Sequence, residues 1–405
     1  MEIRPILSAL RRHRLATLLI ALEIALACAV LCNACFLIIA REQRTKLNSG
    51  VDERSLAFVK VTGFDDAAAR DLNARMLSGL GSIAGVQSAS AINTVPFGQN
   101  AGTVGMSLDP AMKHINAVVD IYLGGPGSFR ALGVKLVAGR LPQADDYAPI
   151  ENYFPKDAQI WVTRSLADHL WPGENPLGKD FYCFGPFRYR VAGVLDHLAI
   201  AMPGSRGPYS VDWSVFIPVQ PGPFLTGSYL VRAAPGDIQR VMRDARAVVA
   251  KVAPDVVFDS DESGTLSDLR HTYFQNDRAM ARVLIGVIVA LLLVTALGIV
   301  GLASFWVQQR RKQIGIRRAI GATRGDILRY FQTENFLIVS MGIVLGVILA
   351  YALNLVLMKA YEVTHLPLGY LLASAIVLWL LGQLAVLGPA LRAAAVPPVV
   401  ATRSV

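Results

Sequence analysis

Gly173-Glu174-Asn175-Pro176-Leu177-Gly178-Lys179 has the G-x-x-x-x-G-K spacing with which a glycine-rich loop and a lysine hold nucleotide phosphates. The next position should offer magnesium a Ser or Thr hydroxyl, and it is Asp180, whose charge repels phosphate. The segment is expected to be a turn between a helix and a strand. Asp259-x-Asp261-x-Ser263-Gly264 opens like a calcium loop, but the twelfth position, which needs a bidentate Glu, is Arg270. These acids are expected instead to cap the helix that follows. Cys28, Cys32 and Cys35 share a helix face at i, i+4 and i+7, a spacing that could ligate a soft metal. Packing by small polarizable side chains is the expectation there. The six histidines are scattered, and neither H-E-x-x-H nor G-x-S-x-G occurs. No catalytic constellation, metal or cofactor is expected.

Glu23 is different in kind, because it lies inside a long apolar run. An intramembrane carboxylate is costly and by default suggests function. The expectation for Glu23 is a structural hydrogen bond, for example to Asn354 or Gln383, with a functional role as the alternative. The run that carries it, 15–40, is one of four long enough to cross a membrane, the others being 283–307, 336–358 and 369–387. Hydrophobic residues make up 53% of the 405-residue chain, and the excess is concentrated in these runs. The first run exceeds the 7–15 residues of a signal-peptide core by a wide margin, so a retained anchor is expected. Gly342 and Gly346 form G-x-x-x-G in the third run and should let helices approach closely, within one chain rather than between two.

Basic residues orient the layout. Residues 1–14, 308–335 and 388–405 carry 13 Lys and Arg against three acids, +10 of a formal net charge of +9, so the remainder sums to −1. Both termini and the 308–335 loop are expected in the cytoplasm, and residues 41–282 and the short loop 359–368 outside it. The positive charge is thus a topology signal, and nucleic acid is not expected as a partner. The fold class is a membrane protein with four helices, one plus three, and a large α+β domain inserted between the first and second.

Within 41–282, residues 55–61, 65–80 and 86–92 read as strand, helix and strand, and 228–233, 236–252 and 256–258 repeat the pattern. These two α/β units flank an insert at about 94–227 that is rich in Gly, Pro and short strands, including two turned at Gly185-Pro186. Cys183 is the domain's one cysteine, so core burial rather than a disulfide must stabilise it. From 265 to 307 no proline interrupts a helical pattern, which predicts a single stalk helix about 65 Å long.

The most specific segment is 310–334. Thr323 and Asp326 form a capping-box signal that starts a helix at about Arg324, and Gly321 suits the end of the helix before it. Ile327, Leu328 and Phe331 lie along one side, which predicts a short amphipathic helix at the membrane surface. On residues alone, lipid headgroups and a docking partner explain the basic loop equally well.

Ile314-Gly315-Ile316-Arg317-Arg318-Ala319-Ile320-Gly321-Ala322 resembles the coupling segment of MacB/FtsX-type permeases of ABC transporters, approximately R-x-x-E-I-G-I-R-x-A-x-G-A. Residues 128–140 and 162–181 also resemble that family, and the one-plus-three layout is the family's own. Gln313 departs from the usual Glu and removes a charge available to pair with the ATPase. The resemblance implies that Ile314, Gly315, Ile316, Arg317, Arg318, Gly321, Thr323, Arg324, Asp326 and Ile327 form an ATPase-coupling loop. It implies a bacterial inner-membrane permease, a separate cytoplasmic ABC ATPase subunit and a second permease chain, identical or not. A periplasmic adaptor and an outer-membrane channel are further candidate partners. Mechanotransmission for export of a periplasmic peptide or small amphiphile is the expected function. The alternatives are an FtsX-like regulator of an envelope enzyme, a lipoprotein-releasing permease, and a membrane-anchored receptor without an ATPase, against which the loop match speaks.

Overall fold

The computed structural model describes residues 14–99, 102–150, 154–183, 187–203, 211–361 and 365–397. Residues up to Thr45 and those from Asp277 onward form one compact unit, and Lys46–Asn276 form another. The chain enters through α1 (Arg14–Thr45). In the inserted unit come β1 (Leu56–Thr62), α2 (Ala69–Gly81), β2 (Val86–Ala91), β3 (Gly102–Ser107) and β4 (Ala117–Gly124). Then follow α3 (Ser128–Leu132), β5 (Leu136–Gly139), β6 (Asp157–Thr163), α4 (Arg164–Leu170), β7 (Asp180–Cys183), β8 (Phe187–Leu195) and β9 (Ser214–Pro218). The unit closes with β10 (Ser228–Ala233), α5 (Ile238–Val252), β11 (Val257–Phe258), β12 (Gly264–Thr265) and α6 (Leu266–Tyr273). The remaining helices are α7 (Gln275–Gln309), α8 (Arg311–Ala319), α9 (Arg324–Tyr361) and α10 (Leu368–Ala394).

The two α/β units expected from the sequence interleave in one sheet. Its order is β11-β1-β10-β2, every neighbour antiparallel. Each β-α-β unit is therefore split by a strand of the other, the ferredoxin-like arrangement. On β1, Ala57, Val59 and Val61 face a core with Leu72, Met76 and Leu80 of α2 and Val241, Ala245 and Val249 of α5. Leu56 and Phe58 point the other way, into a second core with Phe97, Leu266, Leu269 and Phe274. Burial on both faces explains why β1 is almost continuously apolar.

The insert folds into a second sheet that closes on itself. β4 pairs with β3 and β9, β6 with β9 and β8, and β7 with both β8 and β3. Six strands thus make a ring, and β5 adds to the free part of the β8 edge. Alternating residues (Val104 and Met106, Val119 and Ile121, Ile160 and Val162, Phe181 and Cys183, Val215 and Ile217) meet in the core. Closure removes the unpaired edges that a strand-rich insert would expose. The turn expected at Gly185-Pro186 between β7 and β8 lies outside the described residues.

In the membrane unit α1, α7, α9 and α10 each pass the length and composition test for a membrane span. α1 is the central helix, with 56% of its apolar window buried, and α7 the peripheral one, with 11%. Gly342 and Gly346 of α9 sit on α1: a Cβ at Gly342 would lie 2.7 Å from Ile24 Cβ, and one at Gly346 2.5 Å from Cys28 Cβ. The G-x-x-x-G serves packing inside the chain. Asn33 Nδ2 donates to Ala350 O (3.1 Å) between α1 and α9, and Asn335 Nδ2 to Gly382 O (2.9 Å) between α9 and α10. Such polar ties hold helices where no hydrophobic effect operates between them.

Two helical expectations need correction. The single stalk helix over 265–307 is broken at Phe274 (φ −91, ψ 10), giving the short α6 and the 35-residue α7. Phe274 is buried against Phe97, ring centroids 5.7 Å apart, so a tertiary contact overrides an unbroken helical pattern. The helix starting at Arg324 is no separate surface element, because α9 runs 38 residues from Arg324 into the third span. The short helix of the turn is α8, nine residues long and ahead of the capping box.

Candidate functional site

The turn between α7 and α9 is built from its caps inward. α8 ends before Gly321, whose φ of +105° is left-handed backbone that a side chain would strain. Thr323 Oγ1 then accepts from Asp326 N–H (3.2 Å), and Asp326 Oδ2 accepts from Thr323 N–H (3.0 Å), a complete capping box. Between these caps α8 presents two faces.

The inward face is a mount. Ile314 of α8 and Ile327 and Phe331 of α9 are buried together with Val307 of α7 and Ala390, Ala393 and Ala394 of α10. Arg318 Nη1 donates to Ala394 O (3.1 Å) and Val396 O (2.8 Å), capping the end of α10. Arg310, at the junction of α7 and α8, reaches Glu334 of α9 through both carboxylate oxygens (3.0 and 2.9 Å). The two side chains are 12% and 2% exposed, so the pair is enclosed. The Arg310 guanidinium also stands 5.5 Å from the Trp306 ring centroid and within 3.4 Å of Tyr330 Oη. Removing one partner of such a pair strands a buried charge at a cost of about 3–5 kcal/mol. The turn is therefore fixed to α7, α9 and α10 at once.

The outward face carries Ile316 and Ile320, 45% and 82% exposed at i and i+4. Arg311, Lys312, Gln313, Arg317, Arg324, Asp326 and Arg329 are exposed around them. Arg317 lies 5.0 Å from the Tyr330 ring centroid, which braces it from behind. The turn thus presents an apolar tip within a basic rim, and burying a residue like Ile320 gains about 1.5–3 kcal/mol. The ten residues expected to couple thus divide. Ile314, Gly315, Ile327 and Arg318 belong to the mount; Ile316, Arg317, Arg324 and Asp326 are exposed, and Gly321 and Thr323 shape the turn. Sequence reasoning missed Arg310 and Glu334 as a pair and Ile320 as the most exposed apolar group. Glu334, an acid between Phe331 and Ile338 at the start of an apolar run, was the available signal.

The intramembrane Glu23 meets neither expected partner. Asn354 Oδ1 accepts from Leu366 N–H (3.2 Å), and Gln383 Nε2 donates to Gln332 O (3.5 Å). Its carboxylate instead faces Gly298 of α7, where a Cβ would come within 2.7 Å of Oε2. Cys32 Sγ donates to Tyr370 O (3.9 Å), and no group of three metal-ligating side chains occurs among the described residues.

The other sequence motifs resolve as local structure. Gly173 and Gly178 turn the chain with positive φ, Lys179 pairs with Glu174, and Asp180 binds Arg190 (2.9 Å), which holds its carboxyl below the usual range. Asp259 Oδ1 accepts from Asp261 and Glu262 N–H (3.0 Å each), closing its own turn. The acids do not cap the following helix as expected; Thr265 does, accepting from Asp268 N–H.

Residues 285–398 match the FtsX-like permease C-terminal family. The macrolide export ATP-binding/permease protein MacB of Neisseria gonorrhoeae (strain ATCC 700825 / FA 1090) is 28% identical over 294 residues, covering 70% of this chain and 42% of that protein. The MacB of Chromobacterium violaceum is 34% identical over 91 residues, 22% of this chain and 14% of that one. The chain spans less than half the length of these relatives. Among solved structures, the periplasmic region of MacB from Actinobacillus actinomycetemcomitans overlaps 55% of this chain and 94% of its own, at 17% identity and a TM-score of 0.34.

Proposed function

We propose that this chain, a member of the MacB/FtsX-type ABC transporter permeases, receives the stroke of a cytoplasmic ATPase at the α8 turn and transmits it to the inserted domain. The observation that carries the reading is the division of α8, with Ile316 and Ile320 free to dock while Arg310, Arg318 and Ile314 tie the same helix to three spans. A push on such a turn moves α7, α9 and α10 together rather than bending a loop. α7 is about 52 Å long at 1.5 Å per residue, and a single residue, Phe274, separates it from α6 of the inserted domain.

In this reading the turn and both termini face the cytoplasm and the inserted domain the periplasm. ATP is hydrolysed by an ATPase outside this sequence, and two permease chains work as a dimer. The cargo is a periplasmic peptide or small amphiphile, moved by the domain rather than between the spans. The relatives' printed names, which couple macrolide export to an ATP-binding/permease protein, support the export class. Co-purification of the full chain with co-expressed candidate ABC ATPases tests docking. Ile316→Asp/Ile320→Asp should abolish capture and ATPase stimulation while the protein still assembles; undiminished capture overturns the assignment. Arg318 is unsuited to this test, because its loss also uncaps α10.

A further inference from the structure

Both ends of the inserted domain, where the chain arrives from α1 and leaves toward α7, are held by one short segment of the β-ring, residues 197–203. Four consecutive amides in it are engaged without a ladder. Leu198 N–H donates to Asp212 Oδ1 (2.7 Å), Ala199 N–H to Ser49 O (3.0 Å), Ile200 N–H to Val211 O (2.9 Å) and Ala201 N–H to Asp120 Oδ2 (2.9 Å). Tyr122 Oη donates to Ala199 O (2.6 Å) and Tyr273 Oη to Pro203 O (2.8 Å). Ser49 lies four residues past the end of α1, and Tyr273 ends α6. At Gly50 (φ +77°) the His197 carbonyl occupies the space of a Cβ, 2.2 Å away, so only glycine lets the two backbones meet. Arg270 adds a direct tie between the two ends through Leu47 O (2.6 Å) and Glu53 (2.5 Å).

We propose that residues 197–203 are a strap clamping both membrane-derived stems to the ring, and that Asp212, whose carboxylate accepts from the Leu198 amide, makes its grip depend on pH, tighter in acid. His197 Nδ1 lies 3.1 Å from Asp212 Oδ2. Around Asp212 stand Asp196, itself bridged to Arg164 (3.1 Å) and Lys135 (3.5 Å), and Tyr122 of β4, which Asp120 also flanks. Burial pushes the Asp212 carboxyl up to about 6, against the opposing pull of Leu198 N–H and His197. A carboxyl raised by burial holds its proton more tightly in the closed strap than in water. Closure therefore strengthens as pH falls through about 6, and the open strap gains at neutral pH. The grip does not depend on what docks at the α8 turn.

Hydrogen exchange of the full chain in lipid nanodiscs, followed from pH 8 to pH 5 and corrected for intrinsic rates, reads the strap directly. Protection of the Leu198 and Ala201 amides should rise about tenfold between pH 7 and pH 5. Asp212→Asn should remove that rise and hold protection near the acid value of the wild type. Tyr273→Phe should raise exchange in the strap and in α6 together. A pH-independent wild-type strap overturns the proposal even if every variant misfolds, as does an Asp212→Asn protein that keeps the wild-type pH response.

Discussion

Arg310 and Glu334 meet across the turn, 24 positions apart, in surroundings that leave the carboxylate 2% exposed. Glu334→Ala should destabilise the membrane unit by about 3–5 kcal/mol in a denaturant titration in detergent, whereas Arg310→Met/Glu334→Leu should come close to wild type. Equal losses in the single and double variants would show that the pair is not enclosed. A second pair, in the inserted domain, gives a pH signature. Arg140, with a further hydrogen bond from Gln143 N–H, holds the Asp146 carboxyl below the usual range. A depressed carboxyl contributes stability that is present above its unfolded pKa and lost as pH falls through its folded one. Asp146→Asn should therefore lower stability at pH 7 and flatten the acid limb of a thermal-melting profile; an unchanged limb would contradict the pairing. Neither pair was legible from helical spacing, because Arg310 and Glu334 are 24 positions apart and Arg140 and Asp146, six apart, meet only through the turn after β5. The capping box of Thr323 and Asp326 was legible, since both partners lie within one helical turn.

At the scale of elements, local periodicity located β1, α2, β2, β10 and α5, each of which buries a periodic face. It did not show that the two β-α-β units interleave or that the insert closes into a ring, since both follow from pairings such as β7 with β3 that are non-local in the chain. The break at Phe274 escaped for the same reason. Nothing in residues 266–282 stops a helix, and the stop comes from Phe97, a buried residue held at φ 67° and packed against Tyr273 and Phe274. The close contact of α9 with α1 was legible through G-x-x-x-G and is open to test. Gly346→Leu would drive a side chain into Cys28 and Ala25 and should cost about 1–3 kcal/mol, seen as a lower melting temperature in detergent. An unchanged melting temperature would mean that the two helices are not in contact there.

For the whole molecule, the four spans and the inserted domain were evident from the hydropathy and charge of the sequence, and the FtsX-like match over 285–398 agrees with that layout. The two faces of α8 were not evident, because buried residues (Ile314, Gly315) and exposed ones (Ile316, Arg317, Ile320) are interspersed along 314–322. A helix anchored on one face and apolar on the other suits a part that must be pushed without yielding. Photo-crosslinking from benzoylphenylalanine placed at Ile320 tests that account most directly, with the same probe at the exposed Ile115 of the inserted domain as the control. An adduct with an ABC ATPase from position 320 and none from position 115 is the predicted result. Adducts from position 320 with lipid alone, in cells that express the ATPase, would contradict it.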